Sequence, residues 1–92
     1  MHTGSIRIRL RVRGARTLKD KRQVVRSIID RMKNGFNVAI AEVGSRDNHQ
    51  LITLGISTVA EEAEDVASCL EHIKAALRGH PVAEYIDCEP FS

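Results

Sequence analysis

The 92-residue chain has no tryptophan, one tyrosine, two phenylalanines, two prolines and two cysteines, and no long uninterrupted apolar run. So few aromatics leave little material for a base-stacking surface. Cys69 and Cys88 are too few for a disulfide scaffold. Neither lies in a Cys-x-x-Cys pair or a zinc-type Cys/His spacing, so both are expected as reduced, buried thiols. Nothing approaches the ~18 consecutive apolar residues of a membrane span. The start, Met1-His2-Thr3-Gly4-Ser5, runs into a charged segment rather than a secretory apolar core, so a soluble cytoplasmic protein is expected. What is present is 42% hydrophobic and 28% charged residues. That is enough core for one globular domain spanning 1–92.

The formal net charge of +2 conceals a segregation of sign. Residues 1–46 hold 12 lysines and arginines against three acids, a net +9, whereas residues 47–92 hold two against nine, a net −7. Such asymmetry draws a polyanion to one side, docks one copy on another, or cancels within the fold. The positions of the charges decide among these.

Ile6, Ile8, Leu10 and Val12 alternate with Arg7, Arg9, Arg11 and Arg13, the period of a strand with one buried face. Gly14-Ala15-Arg16 turns the chain. Thr17 then caps a helix over 18–33, with Asp20 in its first turn, Leu18, Val25, Ile28, Ile29 and Met32 on its apolar side, and Gly35 placed to end it. Residues 36–43 and 50–58 read as strands joined through Gly44-Ser45-Arg46-Asp47-Asn48-His49, a hairpin. In the latter strand Ile52, Leu54 and Ile56 share the core face. In the former, either Val38 and Ile40 or Ala39, Ala41 and Val43 face inward. Ala63, Val66, Ala67, Leu70, Ile73 and Leu77 mark a second amphipathic helix with an acidic first turn. Gly79-His80-Pro81 stops it, and 82–89 suits a last strand ended by Pro90.

The order β-α-β-β-α-β predicts an α+β, ferredoxin-like split βαβ sandwich: a four-stranded antiparallel sheet with two helices on one face. The first strand then lies between the third and the fourth, and its arginines project from the uncovered face. Alternate side chains on a strand stand about 6.5–7 Å apart, a spacing comparable to that of successive phosphates. Arg7, Arg9, Arg11 and Arg13 are therefore candidates for a polyanion. The plainer alternative is that they pair with Asp87, Glu89 or Glu84 on the neighbouring last strand.

A second basic feature, Arg16, Lys19, Lys21, Arg22 and Arg26, opens the first helix, where cations oppose the helix dipole. With free helix N–H groups it makes a candidate anion site, the alternative being a solvated helix face. Cys69 and His72 at i, i+3 are half a metal site, and no metal or other cofactor is expected. Glu42, Asp47 and His49 read as a solvated hairpin rather than an acid–base pair. Ser27, Ser45, Ser57 and Ser68 sit in no nucleophile motif.

Thr17-Leu18-Lys19-Asp20-Lys21-Arg22 and Phe36-Asn37-Val38-Ala39-Ile40-Ala41-Glu42-Val43, with Gly14-Ala15-Arg16 and the apolar pattern as far as Leu54-Gly55, resemble the YlxP-like bacterial family, a domain of unknown function. The family usually has Ser-Leu-Lys-Asp-Lys-Arg, and Thr17 keeps the hydroxyl cap. The resemblance implies a ferredoxin-like sandwich in the bacterial cytoplasm. It also implies a link to translation, because the family's genes often lie beside those for translation initiation and ribosome maturation. It supplies no catalytic residues.

The expectation is a noncatalytic module that binds RNA or a ribosomal particle through charge, since the chain has neither the aromatic platform of an RNA-recognition motif nor a Gly-x-x-Gly clamp. The alternative is a homodimeric or protein-binding module without nucleic acid, using apolar residues on the open side of the hairpin. A remote third is an acylphosphatase-like enzyme, for which Arg13-Gly14-Ala15-Arg16-Thr17-Leu18 lacks the Gly-x-Val-Gln-Gly pattern.

Overall fold

Alternation of isoleucine and leucine with arginine produces strand β1 (His2–Arg11) in the computed structural model, which describes residues 1–91. Helix α1 (Leu18–Gly35), strands β2 (Ala39–Gly44) and β3 (Leu51–Ala60), helix α2 (Ala63–Arg78) and strand β4 (Glu84–Phe91) follow in the expected order. The strands form one antiparallel sheet in the order β2-β3-β1-β4. With both helices packed on the same side of it, this is the α+β, ferredoxin-like arrangement.

Ile6, Ile8 and Leu10 of β1 and Ile52, Leu54 and Ile56 of β3 bury one sheet face against Val25, Ile28 and Met32 of α1 and Ile73 and Leu77 of α2. Each such side chain contributes about 1.5–3 kcal/mol on removal from water. In β2 it is Ile40 that joins this core, with Val38 packed at its margin, while Ala39, Ala41 and Val43 lie on the open face. The sequence alone leaves those two assignments open.

The strand limits differ from the sequence pattern for local reasons. β1 begins at His2, because His2 to Ser5 pair with Ala60 to Ser57 of a longer β3. β2 begins at Ala39 rather than residue 36, because the backbone before it is spent on leaving α1: Phe36 N–H donates to Met32 O (2.9 Å) and Val38 N–H to Phe36 O (3.0 Å). β4 begins at Glu84, since the N–H groups of Val82 and Ala83 both donate to His80 Nδ1 (3.2 and 3.0 Å). Pro90 does not end β4 but sits within it, opposite Ile6. An edge strand tolerates a proline because its outward N–H has no partner to lose.

At Gly4 of β1, α2 packs closely on the sheet. A Cβ there would lie 2.6 Å from Val66 Cγ1 and 3.0 Å from Leu70 Cδ1, both on α2. Gly4→Ala is therefore expected to destabilise the protein by about 1–3 kcal/mol in urea unfolding, through overpacking. Combined with Val66→Ala it should cost less than the sum of the two single changes. A fully additive pair would show that helix and strand do not meet at this point.

Candidate nucleic-acid interface

On the open face, the β1 arginines meet acids presented by β4. Arg9 holds Asp87 through both guanidinium arms, Nε at 2.9 Å from Oδ1, and Arg7 pairs with Glu89. Arg13, beyond the end of β1, reaches Glu84 with Nε–Oε2 at 2.6 Å. A register shift between Arg9 and Leu10 leaves Ile86 as the unpaired residue of a bulge. Simple alternation would put residues 84, 86 and 88 on one face; the bulge instead brings Glu84, Asp87 and Glu89 to the arginine side. Arg11 is exposed and in no ion pair among the described residues. Three of the four strand arginines thus have acidic partners inside the fold.

These pairs shift titration in a definite direction. The hydrogen bonds and charge of Arg13 hold the Glu84 carboxyl below its ordinary range, and Arg9 does the same for Asp87. Asp20 is lowered chiefly by the backbone N–H of Arg16, which donates to Oδ2 at 3.1 Å.

At the start of α1, Thr17 Oγ1 accepts from Asp20 N–H at 3.1 Å, completing the cap. Asp20 therefore places a carboxylate at this helix end, so an incoming anion would meet side chains rather than helix amides. Lys19, Arg22 and Arg26, at i, i+3 and i+7, form one exposed stripe, with Arg16 exposed just before it. None of the four is ion-paired among the described residues.

Lys21 corrects the sequence-based assignment. Instead of facing an anion it is 0% exposed, on the same side of α1 as Val25, Ile28 and Met32. Its Nζ donates to the carbonyl oxygens of Ser45 (2.7 Å), Leu51 (3.2 Å) and Arg46 (3.3 Å). Glu42 Oε2 lies 3.0 Å away as an ion partner, in a side chain only 13% exposed. That oxygen receives no well-directed hydrogen bond, while the three carbonyls match in number the three donors of the ammonium group. The ammonium thus ties α1 to the tip of the β2–β3 hairpin.

The tip is shaped around this contact. Ser45 takes φ of 59°, unusual for a residue other than glycine, while its carbonyl accepts from Lys21 and from Asn48 N–H (3.1 Å). Its hydroxyl meets Thr53 Oγ1 at 2.8 Å. Asn48 Oδ1 accepts from the N–H groups of Gln50 and Leu51. Val12 N–H donates to Gln50 O (2.7 Å) and Gln50 Nε2 to Arg13 O (3.3 Å), joining the tip to the β1–α1 turn. The tip also carries Arg46, an exposed cation that the sequence reading passed over.

No aromatic ring accompanies these cations. Phe36 packs at the core margin, Tyr85 lies under Arg78 (4.9 Å from Cζ to ring centre), and Phe91 lies beside Arg7 (5.9 Å). Elsewhere on the open face, Ser5, Ala39, Ala41, Val43, Gly55 and Phe91 border a shallow trough of about 520 Å³. No helix is long and apolar enough to cross a membrane among the described residues.

The architecture is that of a small ferredoxin-like α+β protein, with a lysine buried beneath its hairpin and cations left over at the start of its first helix. The chain belongs to the family described as "Protein of unknown function (DUF503)", whose model matches residues 3–90. It is 34% identical over 70 residues to the "Uncharacterized protein YlxP" of Bacillus subtilis (strain 168), an overlap covering 76% of each chain.

Two outcomes test this geometry. Lys21→Met leaves the Glu42 carboxylate without its cation and is expected to cost about 3–5 kcal/mol in urea unfolding; adding Glu42→Gln should recover part of that loss. A cost below 1 kcal/mol, on the order of a surface pair, would contradict burial of the pair. The lowered folded-state pKa values of Asp20, Glu84 and Asp87 mean that the unfolded chain binds more protons in acid. Their stabilisation is present above the ordinary carboxylate range and is lost as pH falls through the lowered values. The urea midpoint should therefore drop below about pH 5, and Arg9→Gln should make the drop shallower by returning Asp87 toward its ordinary value. An unchanged profile in Arg9→Gln would deny the Asp87 pairing a role.

Proposed function

We propose that this is a noncatalytic cytoplasmic module that binds RNA, or the RNA of a ribosomal particle, through the sugar–phosphate backbone. The supporting observation is that five of the exposed cations in no ion pair among the described residues, Arg11, Arg16, Lys19, Arg22 and Arg26, lie at the β1–α1 turn and along one stripe of α1. Lysine and arginine not held in ion pairs attract phosphates and release condensed counterions, giving salt-dependent affinity with little sequence preference. The lack of an aromatic on the stripe favours charge and shape over base stacking, and so a duplex over a single strand. Arg7, Arg9 and Arg13, already matched by acids, contribute less.

A second reading, a homodimer without nucleic acid, is favoured by the trough and by its exposed flanking residues Val43 and Phe91, both 57% exposed. Burial of an apolar face holds two copies together at high salt, unlike a contact made by charge.

Binding of duplex and single-stranded RNA across a salt series distinguishes the two, with Lys19→Glu/Arg22→Glu as the variant because both residues are exposed. The RNA reading expects tighter binding to duplex, affinity falling linearly on a log–log salt plot, and its loss in the variant with the circular dichroism spectrum retained. Absence of binding at low salt, together with a salt-resistant dimer by sedimentation, would support the second reading instead.

A further inference from the structure

Arg46 lies outside the set of cations used above, on a different element, yet the fold fixes its backbone beside α1. Its carbonyl is 3.3 Å from Lys21 Nζ, and Lys21 N–H bonds to Thr17 O within the first turn of that helix. The hairpin tip is therefore one lysine side chain, roughly 6 Å, from the turn that carries Lys19 and Arg22. On its other flank the Gln50 bonds to Val12 and Arg13 hold it against the segment between Arg11 and Arg16. Arg46 itself is exposed and in no ion pair among the described residues.

We infer that Arg46 belongs to the same phosphate-binding surface as Arg16, Lys19 and Arg22, so that a duplex RNA is gripped by the hairpin tip and the start of α1 together. The inference rests on the RNA reading and adds a second element to its contact surface. Three structural elements converge there: the β1–α1 turn, α1 and the hairpin. A guanidinium on the tip can fork two oxygens of one phosphate while lysine and arginine of α1 meet its neighbours. The buried Lys21 keeps the tip from swinging away, so the cations are placed before RNA arrives and little ordering entropy is lost on binding. The acids close to this surface are Asp47, exposed next to Arg46, Asp20 at the helix cap, Glu84, which is ion-paired with Arg13 and opposite Arg11, and Glu42, which is ion-paired with the buried Lys21. Asp47 weakens the local attraction for phosphate.

The test compares the full chain with Arg46→Ala, Asp47→Asn and Arg31→Ala for binding to a short RNA duplex across a salt series. Arg31 is an exposed cation of α1 outside the stripe and carries the same charge as Arg46. Arg46→Ala should lower the magnitude of the log–log salt slope by about 0.9, the loss of one phosphate contact. It should also weaken binding about three- to fivefold at moderate salt, as for one exposed ionic contact. Asp47→Asn should bind more tightly, and Arg31→Ala should match the parent protein. If the parent protein binds but Arg46→Ala leaves its slope unchanged, or Arg31→Ala weakens binding equally, the tip is no part of the surface. If the parent protein fails to bind duplex even at low salt, the RNA reading fails and this inference falls with it.

Discussion

A single buried ammonium group fixes how the two halves of this fold meet. Removing a lysine charge from water costs several kcal/mol unless its donors are satisfied, and only a particular placement of the hairpin brings the Ser45, Arg46 and Leu51 carbonyls and the Glu42 carboxylate to Lys21 together. Any other register of the hairpin would strand the charge in an apolar layer. The contact therefore selects one arrangement, even where its net contribution to stability is small. It also explains how Ser45 is held at a positive φ: its carbonyl and hydroxyl both have partners in that conformation.

Charge segregation along the chain is resolved in two different ways. Across the β1–β4 boundary it becomes pairing, because antiparallel strands place the arginines of the first half beside the acids of the second. At the ends of the sheet it remains as surface charge. The hairpin tip adjoins Arg11, whereas the acids that open α2 follow Ala60, the partner of His2. A ten-residue strand separates those ends by about 33 Å, well beyond the screening length at physiological salt. Free cations at one end are thus little weakened by the acids at the other, which makes the basic end an electrostatic target for a polyanion despite the small net charge.

Periodicity made the element order, the inward face of β3 and most of the inward faces of both helices legible, because each has a run long enough to set its phase, although Ala63 and Ala67 of the α2 repeat are exposed. The central place of β1 followed from the topology that this order implies. The acids able to meet the β1 arginines were also visible, since Glu84, Asp87 and Glu89 lie on the strand that the topology puts alongside. Their spacing did not identify the bulge at Ile86, which depends on the pairing of two distant segments. Lys21 escaped detection because a lysine beside three other charged residues reads as solvated. Its phase was nevertheless available: 21, 25, 28 and 32 follow the buried side of α1. Arg46 escaped because a cation in a turn carries no periodicity, and its place next to α1 follows only from the packing of the hairpin.

The most direct measurement is heteronuclear NMR of the lysine ammonium groups. Protons held by three carbonyls away from water exchange slowly, whereas those of a solvated ammonium are lost to rapid exchange. The account predicts a persistent Lys21 resonance, coupled through its hydrogen bonds to the Ser45 and Leu51 carbonyl carbons and absent from Lys21→Met. A Lys21 ammonium exchanging as fast as those of Lys19 and Lys33 would contradict it.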